Sequence, residues 1–292
     1  MAAYGGHTMT GKLHRVMMRM PADPAGDSDW KRFNYQHPID QNRTAAEHAD
    51  LVSLLAGEGI DVVLAGKDEA GELDALFTYD PSIITDEGAV LLNMGKAERA
   101  NEPTIHAATF AEIGIPVLGE VVGPGTVEGG DTLWLDARTM AIGRGYRSND
   151  EGIRQLRVIL GTIGVELLVY DLPHWTGPAD CPHLLSLISP LAEGKAIVYK
   201  PLMAVALLAE LEQREWKLID VPPSEYESMG CNVLAIEPDR VLLLAGNPET
   251  QRVLENAGCE VLTYQGEEIS LNRAGGRTCL TRPLMRETQP LP

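Results

Sequence analysis

The sequence lacks the features that mark membrane, secreted and nucleic-acid-binding proteins. No stretch approaches the roughly 18 consecutive apolar residues of a membrane span, and residues 1–15 have no apolar core of a signal peptide. Positive charge is scarce, because 24 lysines and arginines are outnumbered by 42 acidic residues, which gives a net charge of −18. Binding to nucleic acid or to an anionic membrane needs a basic surface, so we expect neither partner. A cytoplasmic location is expected.

The common motifs of metal, cofactor and serine-hydrolase sites are also missing. There is no HxxxH, HExxH or CxxC spacing, so no metal site is predicted. There is no P-loop and no GxGxxG after a strand, and the G-x-S-x-G elbow of serine hydrolases does not occur. Four cysteines without paired spacing are expected to be reduced. A cysteine with a histidine remains as the nucleophilic pair, and no cofactor is expected.

The chain does contain a repeated unit, in which a helix-like stretch leads into a short β-branched strand. In four of the five copies, a glycine lies where the end of a helix needs a left-handed residue. The five units cover residues 45–63, 104–117, 151–168, 202–219 and 250–262.

Hairpin patterns, each with two apolar runs joined by polar turn residues, lie between these units. Four of them cover residues 82–92, 132–143, 187–199 and 233–244. A fifth would combine 278–284 with 13–20, so that each end of the chain supplies one strand.

Joining the two ends would close a ring and leave no unpaired strand edge. The predicted fold is therefore α/β, a five-bladed α/β propeller of pseudo-fivefold ββαβ repeats that is closed by pairing of the N- and C-terminal strands. An open α/β sheet is the alternative. We expect residues 1–12 to be a disordered lead-in and residues 13–292 to be a single catalytic domain.

Four segments carry residues suited to chemistry, each close to a predicted strand: 73–81, 128–131, 181–185 and 275–281. Taken singly, acidic turn residues are usually caps, a histidine is usually structural, and a cysteine is usually a small buried hydrophobe. Cys231 and Cys259 are interpreted in that way and Cys181 is left open, while His174 competes with His183 for a catalytic role. A catalytic site is predicted only because a cysteine, a histidine and several acids occur together in these segments.

Together these segments resemble the guanidine-modifying superfamily of arginine deiminases, dimethylarginine dimethylaminohydrolases and amidinotransferases, from about Arg15 to Leu284. The fold of that superfamily is the five-bladed α/β propeller, which agrees with the repeat analysis. The resemblance implies that Cys279 is the nucleophile and His183 the acid and base. It also implies that Glu128 orients the histidine and helps to bind the substrate.

The same resemblance implies a set of substrate-binding residues. Asp80, in the segment Phe77-Thr78-Tyr79-Asp80-Pro81, would hold two N–H groups of the guanidinium. Asp74 would act toward the other end of the substrate. Arg99 and Arg147 would bind a substrate carboxylate, which arginine recognises with two parallel hydrogen bonds. Phe77 is counted among the substrate contacts, whereas Asp131 is expected to be structural.

The sequence departs from both hydrolase patterns. Deiminases carry a His-x-Asp whose aspartate grips the guanidinium, and Leu185 stands at that position here. An apolar contact from Leu185 would resemble the dimethylaminohydrolases, which lack this aspartate and accept an alkylated nitrogen. Tyr79, however, stands where those enzymes have a glutamate, and residues 277–281 are closer to the deiminase version.

The implied function is a cysteine-dependent hydrolase of a substituted guanidine, with an N-methylated arginine as the first candidate. Its products would be citrulline and an alkylamine, formed through a covalent S-amidino intermediate. Three alternatives stay open: an arginine deiminase-type hydrolase, an amidinotransferase acting on another guanidine or ureido compound, and a binding protein without catalysis. The expected partner is a small cationic guanidine, and the family also tends to form homodimers.

Overall fold

The computed structural model describes residues 4–26, 29–66, 72–178 and 181–288. Within those ranges, fifteen strands form five three-stranded sheets. The strands are β1 (Leu13–Arg19), β2 (Asp61–Ala65), β3 (Ser82–Thr85), β4 (Gly88–Leu91), β5 (Val117–Glu120), β6 (Thr132–Asp136), β7 (Thr139–Arg144), β8 (Glu166–Asp171), β9 (Ile188–Ala192), β10 (Lys195–Val198), β11 (Lys217–Asp220), β12 (Leu234–Glu237), β13 (Arg240–Leu244), β14 (Glu260–Tyr264) and β15 (Arg282–Arg286).

Every sheet has the same connection pattern, an antiparallel pair followed by a third strand parallel to the middle one. Since parallel neighbours cannot be joined by a tight turn, a crossover connects the second and third strands of each sheet. Helices α2 to α6 make these crossovers, and α1 and α7 are single turns. The helices are α1 (Asp29–Arg32), α2 (Gln41–Gly57), α3 (Glu102–Ile113), α4 (Asp150–Gly161), α5 (Val205–Gln213), α6 (Pro248–Asn256) and α7 (Arg277–Leu280).

The residues that end the crossover helices explain the repeat seen in the sequence. Gly59, Gly114, Gly164 and Gly258 all have positive φ, between 72° and 89°, as predicted for left-handed residues after a helix. In the unit without glycine, Glu215 adopts φ 57° instead. The backbone is therefore left-handed after the crossover helix in all five units. A residue with a side chain, such as Glu215, meets a steric penalty in that conformation.

The two ends of the chain meet in one sheet, of order β15-β1-β2. Val16 pairs with Pro283 and Met17 with Arg282, in antiparallel register. The strand expected at 278–284 is partly wrong, because residues 277–280 form α7 and the strand begins only at Arg282. The helical turn is closed by the hydrogen bond from Leu280 N to Gly276 O, 3.0 Å long.

The expectation of a disordered lead-in over residues 1–12 is wrong for residues 4–12. Gly5 forms a β-bridge to Met285, and the His7 ring stacks on Trp134 with 4.4 Å between the ring centres. His7 and Thr10 are buried. A segment rich in glycine, histidine and threonine can look disordered by composition, yet its backbone and side chains make specific contacts here.

Each of the five large apolar clusters combines residues of two different sheets with residues of one crossover helix. Leu51 and Leu55 of α2, for example, pack with Val16 and Met18 of β1. Full burial of such side chains contributes about 1.5–3 kcal/mol each. In the described ranges, no helix is both long enough and apolar enough to cross a membrane.

Candidate active site

A cavity of about 120 Å³ is formed by loops that lead into the first strands of the sheets. Asp80 precedes β3, and Glu128 precedes the 3-10 turn Gly129–Asp131 that leads into β6. His183 precedes a similar turn before β9, and Cys279 lies in α7 before β15. Equivalent positions of successive sheets therefore supply residues that are far apart in the sequence. The cavity lining includes eight of the nine predicted site residues: Asp74, Phe77, Asp80, Arg99, Glu128, Arg147, His183 and Cys279.

His183 and Glu128 form the most tightly connected pair of the cavity. Nε2 of His183 lies 2.7 Å from Oε2 of Glu128, while Oε1 accepts the backbone N–H groups of Gly95 and Lys96 at 3.0 and 3.1 Å. Burial alone would raise the pKa of Glu128, but the hydrogen bond and charge of His183, with nearby arginines, lower it to about 2. The carboxylate is thus ionised and held in a fixed orientation.

The surrounding carboxylates keep His183 protonated. Burial alone would lower its pKa, but the charges of Asp80, Asp131 and Glu128 together raise the pKa to about 10. At neutral pH the imidazolium can therefore act as a proton donor. His174, the competing histidine, lies outside the cavity lining and contacts the Tyr146 hydroxyl at 2.5 Å.

Asp80 is buried and held from two directions. Its Oδ1 accepts the backbone N–H of Gly130 at 2.9 Å, and its Oδ2 pairs with Nη1 of Arg99 at 2.6 Å. A Cβ at Gly130 would lie 2.8 Å from the His183 ring and 2.9 Å from Oδ1 of Asp80. Glycine is therefore required at this position, since a side chain would push apart two of the site's main groups.

Arg99 lines the cavity, and its expected role as a binder of a substrate carboxylate stays a prediction. Its guanidinium is buried and fully engaged: Nε and Nη2 donate to Glu102 at 2.8 Å, Nη1 to Asp80, and Nη2 also to Phe77 O at 3.0 Å. These bonds would have to break before it could bind a ligand. In this structure Arg99 holds Asp80 in place. The sequence could not show this, because an arginine looks the same whether it faces a ligand or a buried carboxylate.

The outer part of the cavity carries a further ion pair. Oδ2 of Asp74 lies 2.5 Å from Nζ of Lys96, and Oδ1 accepts the Tyr35 hydroxyl at 2.8 Å. Lys96 was not predicted; its only signal in the sequence is its place just after the β4 hairpin strand. Arg147 stands nearby, with Nε 3.3 Å from Sγ of Cys181 and Nη1 3.8 Å from Oε1 of Glu128.

Cys279 opens onto the cavity from the short helix α7. Burial, with a smaller contribution from the Asp80 charge, raises the pKa of its thiol to about 11. Asn232 was also missed from the sequence, and its Nδ2 lies 3.7 Å from Sγ. It directly precedes the β12 hairpin, which is the same kind of loop-to-strand junction that supplies the other site residues. Position in the repeat could therefore have indicated it.

Leu185 does not line this cavity, so its expected contact with the guanidinium is wrong. It is buried in an apolar cluster with Tyr79 and Leu133 and faces a second, narrower cavity. Ser186, one residue later, lines the first cavity instead. The 3-10 turn Leu184–Ser186 changes the direction in which successive side chains point, and the sequence motif gives no sign of that.

Asp131, Cys231 and Cys259 have structural roles, whereas three other residues form a cluster of possible metal ligands. Asp131 is structural as predicted, because it accepts bonds from the Ser148 hydroxyl at 2.6 Å and from Leu184 N at 3.2 Å. Cys231 and Cys259 are buried, as expected for small hydrophobes. Asp80, Glu128 and His183 place ligand atoms within 4.8 Å of one another. They are the residues that could hold a metal ion, although each is already bonded to a neighbour.

The comparisons with known proteins agree with this geometry. The family model and the curated relatives place the chain in the guanidine-modifying superfamily. The family model described as N,N dimethylarginine dimethylhydrolase, eukaryotic, matches residues 22–286. The chain therefore belongs to this family, and it is a hydrolase that acts on C–N bonds of guanidino compounds.

Two relatives carry the name N(G),N(G)-dimethylarginine dimethylaminohydrolase. The protein of Streptomyces coelicolor is 29% identical over 209 residues, 71% of this chain and 73% of the relative. The protein of Pseudomonas aeruginosa is 26% identical over 242 residues, 83% of this chain and 89% of the relative.

Solved structures show the same fold. A mutant of the Pseudomonas aeruginosa enzyme complexed with citrulline has a TM-score of 0.76 at 23% identity, and the match covers 92% of this chain and 98% of that one. An amidinotransferase of the saxitoxin pathway from Microseira wollei has a TM-score of 0.81 at 15% identity, covering 99% and 98%.

Proposed function

We propose that the protein hydrolyses an N-methylated arginine to citrulline and an alkylamine, with Cys279 as the nucleophile. The observation that carries the proposal is the meeting of Cys279, His183, Glu128 and Asp80 at one cavity, although they come from four separate loops. A cysteine, a protonated histidine and two buried carboxylates are the groups that this reaction needs. We also infer that the five sheets close into one propeller, since β1 and β15 already join the two ends of the chain.

The carboxylates account for recognition of the substrate cation. Asp80 and Glu128 are ionic partners for the N–H groups of a guanidinium, and each is held in place by neighbouring protein groups before the ligand arrives. Such preorganised charge costs no reorganisation during the reaction. Phe77 and Met229 add apolar surface to the cavity, which suits a nitrogen that carries a methyl group.

The nucleophile is activated by the substrate itself. Burial raises the pKa of the Cys279 thiol, but a guanidinium bound beside it lowers that pKa and favours loss of the proton to solvent. The thiolate attacks the guanidinium carbon, forming a C–S bond. His183 then donates its proton to the departing amine as the C–N bond breaks, which leaves an S-amidino intermediate.

Hydrolysis of the intermediate uses the same residues. His183, now neutral, takes a proton from a water molecule that attacks the intermediate carbon. As the C–S bond breaks, the proton of the new hydroxyl group on the carbon passes to the sulfur, so that the Cys279 thiol is restored and the neutral ureido product leaves. The overall reaction consumes one water and returns both Cys279 and His183 to their starting states.

The test is product analysis by mass spectrometry with dimethylarginine, monomethylarginine, arginine and agmatine, each with and without an added amine acceptor. Citrulline with methylamine or dimethylamine is expected from the methylated substrates. Cys279→Ser should remove turnover without changing the thermal midpoint. Turnover retained in that variant would rule out the nucleophile, while an amidino product that appears only with the acceptor would identify an amidinotransferase.

A further inference from the structure

A second cavity, of about 30 Å³, lies beside the inward face of β15. Burial alternates along this strand, so that Arg282, Leu284 and Arg286 point to the same buried side. Both arginines are only 5% exposed and both line the cavity. Two guanidinium groups are thereby brought to one small space in the interior.

The described part of the chain gives neither arginine a carboxylate ion pair. Arg286 donates to the backbone oxygens of Gly11 and Ala235 at 2.7 and 2.8 Å, and Arg282 donates to Tyr79 O. Nε of Arg282 is buried without a hydrogen-bond partner. Asp80 lies near enough to influence Arg282, but its Oδ2 already pairs with Arg99.

Burial, together with the neighbouring Arg282 guanidinium, lowers the pKa of Arg286 to about 10. The pKa remains above neutral pH, so both side chains stay charged there. Two buried like charges without a counter-ion are costly, because each has lost its hydration and each repels the other. A small anion between them would relieve both effects.

Two hydroxyl groups at the cavity have protons to donate. The Tyr79 hydroxyl donates to the thioether sulfur of Met9, a weak acceptor, at 3.6 Å, and it also interacts with the Arg282 guanidinium. Burial raises the pKa of Tyr79, so that the phenol keeps its proton. Thr8 Oγ1 accepts the backbone N–H groups of Thr10 and Gly11 at 3.1 Å, which leaves its own proton free to be donated.

We propose that this cavity binds a small monovalent anion of the halide type, held by Arg282, Arg286 and the Tyr79 hydroxyl. A cavity of about 30 Å³ suits a single ion, since one water molecule needs about 10–15 Å³. The N-terminal segment forms one wall of the cavity and approaches β15 closely, because a Cβ at Gly6 would lie 2.9 Å from Cβ of Arg286. The site is independent of the proposed catalytic reaction.

The first test is thermal unfolding in sodium chloride, sodium bromide and sodium gluconate at equal ionic strength. Chloride and bromide should raise the midpoint saturably, by about 3 °C at ten times the dissociation constant, while gluconate should not. Arg286→Gln should remove the difference between anions. The control variant Arg154→Gln, which alters an exposed arginine paired with Glu151 at 2.7 Å, should keep it.

The second test uses the unaltered protein and does not depend on the folding of a variant. Crystals grown with sodium bromide should show an anomalous peak between Arg282 and Arg286. Equal midpoints in chloride and gluconate, together with no bromide peak at this position, would overturn the proposal. A bromide peak with a midpoint that still differs in Arg286→Gln would assign the stabilisation to another site and contradict the role given to Arg286.

Discussion

The charge on His183 depends on the nearby carboxylates of Asp80, Asp131 and Glu128, and Glu128 also forms a direct hydrogen bond with the ring. A raised pKa means that the imidazolium persists to higher pH than an ordinary histidine would. Since the proposed reaction needs the imidazolium as an acid, activity should be lost as the pH rises through the pKa of about 10. Replacing Glu128 by glutamine removes one of the charges that raise it.

For Glu128→Gln, the alkaline limb of the kcat profile should therefore move to lower pH, by about one unit or more. The profile should be measured at saturating substrate, so that weaker binding does not enter it. His174→Gln is the matched control, because that histidine contacts Tyr146 outside the cavity lining. An alkaline limb that stays in place in Glu128→Gln would contradict the assignment of that limb to His183.

Asn232 acts on the nucleophile through its amide, which can donate a hydrogen bond to Sγ of Cys279. Such a bond favours the thiolate and lowers the pKa of the thiol. In Asn232→Ala, alkylation of Cys279 by iodoacetamide should need a higher pH, with a shift of about half a unit to one unit.

That alkylation should be followed in a Cys181→Ser background, because Cys181 also lines the cavity. Asn101→Ala, at an exposed residue before α3 whose side chain makes no capping bond, serves as the control. If the Asn232 and Asn101 variants show the same alkylation profile, Asn232 has no influence on the thiol.

At the scale of the element, the turn Gly129–Asp131 joins three loops of the site. Its backbone binds Asp80, and the side chain of Asp131 binds Ser148 and Leu184 N. Gly130→Ala would place a methyl group within 2.9 Å of both His183 and Asp80. We expect kcat/KM to fall roughly 100-fold, since even a small displacement of the reacting groups slows the reaction strongly.

Gly161→Ala is the matched control for that substitution. Gly161 ends α4, and a Cβ there would meet nothing within 4 Å. This variant should keep full activity and gain about 0.4–1 kcal/mol in the free energy of unfolding. Both should be measured by kinetics and urea unfolding. Equal kcat/KM in the Gly130 and Gly161 variants would show that the turn does not control the site geometry.

Elements were more readily predicted than contacts. Hairpins and crossover helices follow from local patterns, apolar alternation and glycines after helices, and all five units are found. The strand over 278–284 was partly wrong because a single helical turn, Arg277–Leu280, leaves too short a pattern to read. The bond of Arg99 to Asp80 and the burial of Leu185 against Tyr79 and Leu133 were not predicted, because those partners lie far away in the sequence and no local pattern specifies them.

At the scale of the whole molecule, the N-terminal segment shows the same limit of sequence analysis. Its composition suggested disorder, but His7 joins parts of the fold that are far apart in sequence. The His7 ring stacks on Trp134 of β6, Nδ1 lies 2.9 Å from Ala137 O, and Nε2 accepts Asp86 N at 3.2 Å. Nδ1 therefore donates and Nε2 accepts, and these bonds connect two sheets through one side chain.

Removing that side chain should therefore destabilise the protein as a whole. For His7→Ala we expect the free energy of unfolding to fall by about 2–3 kcal/mol, from loss of the ring stack and of two hydrogen bonds. His7→Phe keeps the stack and should lose roughly half as much. His14→Ala, at a half-exposed histidine, should change the value by less than about 0.5 kcal/mol. Urea unfolding of the parent and the three variants tests this prediction. If the N-terminal segment were disordered, all three variants would have the same free energy of unfolding as the parent.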